Sequence, residues 1–102
     1  MNVITVKELK RKLDAREDFI FIDVREPHEF SEFNLGATLI PLGEIPEAIS
    51  DMKDKKDAEV IVHCRSGARS GRAVQFMEAE GFNNVHNVEG GVLAWIDTYG
   101  GE

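Results

Sequence analysis

The apolar positions of this chain fall into short blocks that switch between two periods, as strands alternating with helices do. Val6, Leu9 and Leu13 recur at helical spacing behind Thr5 and Glu8. Those two stand as N-cap and N3 of a capping box, so a first helix opens at Thr5. Residues 19–24 (Phe-Ile-Phe-Ile-Asp-Val) form a nearly unbroken apolar run rich in β-branched and aromatic side chains. Such a run suits a strand covered on both faces. A short helix is expected over Glu26–Phe30, with Pro27 in its first turn, where no N–H is needed. Thr38–Pro41 reads as a brief strand that ends at its proline.

The second half repeats the alternation. A helix beginning near Pro46 turns Ile45, Ala48, Ile49 and Met52 inward, and the charge run from Asp51 to Asp57 reads as a solvated connection. Glu59–His63 is a buried strand, and Arg69–Glu80 a helix whose covered side carries Ala73, Val74, Phe76 and Met77. Gly81 stands at C′ with Phe82 placed for the apolar closing contact. Asn84–Val88 supplies a last strand and Val92–Tyr99 a terminal helix. This succession predicts a single α/β domain over residues 1–102, an open, mostly parallel sheet of about five strands. Right-handed crossovers place helices on both faces. In such sheets functional groups gather beyond the carboxyl ends of the strands, where Asp23-Val24-Arg25 and Cys64 lie.

Charge narrows the partners. A formal net charge of −7 disfavours nucleic-acid and membrane-surface binding, both of which want a basic face. No apolar run approaches the roughly 20 residues that span a bilayer. The N-terminus lacks the basic flank and long apolar stretch of a signal peptide. A lone cysteine fits a reducing compartment, so a cytoplasmic location is expected. Against this acidic background Arg65, Arg69 and Arg72 crowd into a stretch without an acid. The pattern is that of a soluble acidic protein with one local anion site.

That stretch also holds the cysteine. In Cys64-Arg65-Ser66-Gly67-Ala68-Arg69, Gly67 reaches backbone angles closed to other residues, and the small neighbours let successive N–H groups converge. A helix N-terminus and guanidiniums add positive potential. Together they favour thiolate over thiol and attract an anion to the same place. A lone cysteine is more often a small buried hydrophobe. A core cysteine, though, has no need of the small and cationic residues that follow this one. Arg25 and Glu29, four apart, are expected to pair across a helical turn, with Asp23 accepting loop N–H bonds. His63 points away from the nucleophile along its strand as a packed or partly exposed imidazole. His28 and His86 have no metal-ligand spacing, no cofactor is implied, and Trp95 reads as core near Gly90-Gly91.

Taken in order, several segments closely resemble a single-domain rhodanese. They are Asp23-Val24-Arg25-Glu26-Pro27-His28-Glu29-Phe30, Gly36-Ala37 followed by Ile40-Pro41, the loop from Cys64 to Ser70, Gly81-Phe82, and Gly90-Gly91 with Trp95. The resemblance implies sulfurtransferase chemistry without a cofactor. Cys64 would attack an anionic sulfur donor such as thiosulfate, or a protein persulfide, and carry the sulfur as a persulfide. A thiophilic acceptor would then remove it: cyanide in an assay, a protein thiol or sulfur carrier in cells. It also implies that backbone N–H groups from Arg65 through Ser66, Gly67, Ala68 and Arg69 hold the charge. The side chains of Arg65 and Arg69 would draw in the donor. The segment Asn34-Leu35-Gly36-Ala37, with Ile40-Pro41-Leu42, is similar to rhodanese domains found beside ubiquitin-activating-like adenylyltransferases. The alternatives are a non-catalytic rhodanese-like binding or regulatory module and a phosphatase on the same fold. In the phosphatase loop Cys-x-x-x-x-x-Arg the arginine stands sixth, whereas here Arg69 is fifth and Ser70 sixth.

Overall fold

The computed structural model describes residues 2–101 and contains a five-stranded sheet. Its strands are β1 (Asn2–Ile4), β2 (Ile20–Asp23), β3 (Thr38–Leu39), β4 (Val60–His63) and β5 (Val85–Val88). Their spatial order is β1-β5-β4-β2-β3, and every neighbouring pair is parallel. The helices are α1 (Val6–Asp14), α2 (Pro27–Glu32), α3 (Ile45–Ser50), α4 (Ala68–Ala79) and α5 (Gly91–Tyr99). Among the described residues no helix is long and apolar enough to cross a membrane.

Strand alternation divides the core. Val60, Val62 and Cys64 face one side with Ile22 and Val24 of the β2 segment. There they meet Ile45 and Ile49 of α3 and Ala73, Val74 and Met77 of α4. Ile61 faces the other side and packs with Leu9 of α1, with Trp95 of α5 half-buried against it. Helices thus cover both faces, which is why β4 is buried along its whole length.

Local signals set several boundaries. Thr5 Oγ1 accepts the Glu8 N–H at 3.2 Å, so α1 begins where the capping pattern places it. The end of α4 is closed by the Phe82 N–H, which donates to the Met77 carbonyl at 3.0 Å while the Phe82 ring is buried.

Two features depart from the sequence reading. The sequence pattern predicts no strand at Asn2–Ile4; these three residues form one by pairing with β5, Ile4 opposite Val88. Helical spacing predicts Phe76 on the covered side of α4, whereas it is exposed. Ala73, Val74 and Met77 already fill the stripe against the sheet, and Phe76 falls on its flank.

β4 lies between β2 and β5, with β3 beyond β2 and β1 beyond β5. Chain connections leave β2 toward one edge and return across it to β4, so the sheet reverses its winding there. The loops after β2, β4 and β5 meet at that point.

Candidate active site

Cys64 follows the last residue of β4 and heads the loop that reaches α4 at Ala68. It is 1% exposed. Gly67 adopts φ +106°, a left-handed conformation open to glycine, and its N–H points back to Cys64 Sγ at 3.1 Å. The backbone N–H groups of Ser66 and Ser70 also help to lower the thiol's pKa, and the Ser70 hydroxyl lies 3.3 Å from the sulfur.

The loop's carbonyls are drawn the opposite way. The Cys64 and Arg65 carbonyls accept the Val92 and Leu93 N–H groups, each at 3.0 Å. Those donors belong to the first turn of α5, where no intrahelical partner exists. Acceptors of the loop thus go to the helix, and its donors are left for sulfur. This approach requires glycine at position 91. A Cβ there would stand 2.4 Å from the Cys64 oxygen and 2.7 Å from that of Arg65.

Burial presses the Cys64 thiol upward. The N–H groups of Ser70, Gly67 and Ser66, with the Ser70 hydroxyl whenever its proton turns toward Sγ, offset it, so the thiol is more acidic than an ordinary cysteine. Convergent donors of this kind stabilise negative charge on sulfur, whether on Cys64 itself or on an atom bonded to it.

The arginines part company. Arg69 forms a two-pronged ion pair with Glu29 of α2, at 2.8 and 2.9 Å. The guanidinium holds the Glu29 carboxyl down to about 2 and is itself pushed up. The Arg69 side chain, which the resemblance places in donor capture, pairs with Glu29 and so ties the N-terminal turn of α4 to α2. Arg65 is exposed and has no ion-pair partner among the described residues. It borders a cleft of about 250 Å³ with His28, Leu93 and Ile96.

The expected Arg25–Glu29 pair does not form. Arg25 lies before α2, whose N-cap Glu26 is in extended backbone, so helical spacing does not bring it over Glu29. Its guanidinium turns back on Asp23 at 2.8–3.1 Å and donates to the Phe33 carbonyl at 2.6 Å. Asp23 also accepts the Arg25 N–H at 3.0 Å, the loop bond expected of it.

His63 is fully buried on the face opposite Cys64, beside the Phe21 ring, and neither ring nitrogen has a hydrogen-bond partner. Burial lowers its pKa from 6.5, against the pull of Asp23 3.7 Å away. It is a neutral packed imidazole, out of reach of the sulfur.

Two site residues escaped the sequence reading as contacts. Ser70 appears there only as part of the loop motif, and Asn87 not at all. Asn87 is 8% exposed on β5, its Nδ2–H donates to the Gly67 carbonyl at 3.1 Å, and its Oδ1 lies 2.5 Å from Ser70 Oγ. A polar residue inside an otherwise buried strand was the available signal.

The family model of the rhodanese-like domain matches residues 5–98. A putative sulfurtransferase of Bacillus subtilis is 41% identical over 93 residues, covering 90% of this chain and 87% of its own. A sulfurtransferase of Allochromatium vinosum is 34% identical over 96 residues, covering 93% and 88%. Among solved structures, a rhodanese-like domain protein from Staphylococcus aureus superposes with a TM-score of 0.83 at 35% identity, covering 93% and 91%.

Proposed function

The chain belongs to the rhodanese-like domain family, and from that premise we propose that Cys64 carries one sulfur atom, as a persulfide, between a donor and an acceptor. Sulfur transfer of the rhodanese kind is the role its relatives are named for. The observation that carries the finer reading is a buried sulfur held by the Gly67 N–H at 3.1 Å, with its pKa lowered by the surrounding loop donors.

With thiosulfate as donor, the Cys64 thiolate attacks the outer sulfur. The bond from that sulfur to the sulfonate breaks, its electron pair leaves with sulfite, and Cys64 holds a persulfide anion. The total charge is the same on both sides. An acceptor then attacks the outer sulfur, and the Cys64 thiolate departs as leaving group. Cyanide gives thiocyanate; a protein thiol gives a new persulfide. A protein persulfide donor loads Cys64 by the same exchange.

The loop from Arg65 through Ser66, Gly67 and Ala68 to Arg69 binds the substrate in this scheme. Its N–H groups hold developing charge in the manner of an oxyanion pocket. Arg65 attracts the anionic donor, while Arg69 braces the loop through Glu29. The count from Cys64 to Arg69 favours sulfur over phosphoryl transfer, since the loop is one residue shorter than a phosphatase loop and has less room for a tetrahedral group. An intact cysteine and loop favour catalysis over a purely binding role.

Thiosulfate treatment of the purified protein should add the mass of one sulfur atom to Cys64, and cyanide should release it as thiocyanate. Cys64→Ser should do neither, with its fold retained, and a generic aryl phosphate should stay intact. Absence of both sulfur uptake and thiocyanate defeats the thiosulfate reading, and aryl phosphate hydrolysis defeats the choice over phosphatase.

A further inference from the structure

The Ser70 hydroxyl has one proton and two claimants. Its oxygen lies 3.3 Å from Cys64 Sγ and 2.5 Å from Asn87 Oδ1. Ser70 is fully buried, so no bulk water relieves the competition.

The Asn87 amide decides between them. Its nitrogen faces the Gly67 carbonyl, which only accepts hydrogen bonds, at 3.1 Å. Turning the amide over would set oxygen against oxygen there. Oδ1 is thereby fixed toward Ser70, and two oxygens 2.5 Å apart need a proton between them. An amide oxygen brings none, so the serine must donate. Ser70 Oγ is left with lone pairs toward the sulfur.

This arrangement suits a thiol, whose S–H donates to Oγ, and it opposes a thiolate. To serve the thiolate the hydroxyl must rotate and leave Oδ1 facing bare lone pairs. A persulfide avoids the conflict, because its charge resides on the outer sulfur and the inner one is bonded and neutral.

We propose that Asn87 is a positioning residue that orients the Ser70 hydroxyl away from Cys64 and so disfavours the empty thiolate relative to the sulfur-loaded form. The loaded form is part of the sulfur-transfer reading above; the effect on the empty thiol is independent of it. The charged groups near the sulfur are Arg65 on its loop, Arg69 of α4 with Glu29 of α2, and Asp23 with Arg25 after β2. His63 is neutral and on the far face. None of these is altered by the variants below.

The test follows the rate of Cys64 alkylation by iodoacetamide against pH in the full chain, which needs no sulfur donor. In Asn87→Leu the hydroxyl is released to the sulfur, so the profile shifts to lower pH and the rate well below the midpoint rises about tenfold. In that background Ser70→Ala must reverse the gain, whereas in the native background it leaves the profile in place or moves it slightly lower. A purely structural Asn87 gives the opposite sign: loss of its bond to Gly67 loosens the N–H ring and shifts the profile to higher pH. That result, or no shift at all, overturns the proposal. If Asn87→Leu does not fold, Ser70→Ala alone still decides, since a rise in its midpoint means that the serine had been donating to sulfur. Failure of thiosulfate to load Cys64 leaves these readings intact and bears only on the sulfur-transfer proposal.

Discussion

Replacing Arg65 by glutamine removes the uncommitted cation from the rim of the sulfur loop. With thiosulfate as donor, KM should rise about threefold to tenfold with kcat little changed, and the effect should shrink as salt is added. Steady-state thiocyanate formation at two ionic strengths measures this; an unchanged KM removes Arg65 from donor capture. His63 gives a prediction of another kind. Its folded pKa is lowered from 6.5, so the unfolded chain takes up a proton that the native one refuses. Stability is therefore full above that value and declines as pH falls below it. His63→Leu should flatten the decline, read by chemical denaturation at about pH 7 and about pH 5. An equal loss in both proteins would place the acid sensitivity elsewhere. At this scale the sequence is uneven as a guide. The Cys64 loop is legible because its parts are neighbours in the chain, and the inertness of His63 follows from strand alternation. The partner of Arg69 is not legible, because Glu29 lies 40 residues away and meets it only through the fold.

Among the elements, α5 has the largest hold on the site. Its first N–H groups take the loop's carbonyls, and Gly91 makes that approach possible at φ +55°. In Gly91→Ala the new Cβ meets two backbone oxygens that cannot swing aside, so helix and loop must separate. A loss of about 2–4 kcal/mol is expected, with Cys64 alkylated less readily at neutral pH as the N–H ring opens. Denaturation and alkylation measured together check it, and native stability in the variant would show that the clash is absorbed elsewhere. α4 presents the ordinary case. Met77→Ala leaves a cavity under a fully buried side chain and should cost about 2–5 kcal/mol. Helix and strand types were readable because period and capping are local properties. β1 was not, since three residues carry no periodicity and become a strand only by lying along β5.

For the molecule as a whole, alternation of elements announces a parallel sheet but leaves strand order open, since which parallel neighbours pair is a tertiary choice. That order brings Asp23, Cys64 and Asn87 from three strands to one end of the sheet. The two cores also make the site separable from part of the fold. Ile4 belongs to the α1/α5 side, so Ile4→Ala should cost about 2–4 kcal/mol and leave the pH profile of Cys64 alkylation in place. A shifted profile would show the two faces to be coupled. The depth of Cys64 has a consequence for traffic. At 1% exposure, almost none of the empty cysteine is open to contact from outside its loop. That burial opposes the roughly 3.5–4.5 Å Cβ separation that a disulfide between two copies demands. On the proposed reading, an added sulfur extends the side chain by about 2 Å and becomes the reactive atom. On that reading the cargo makes its own handle, since the added sulfur and not the buried cysteine is the atom an acceptor meets.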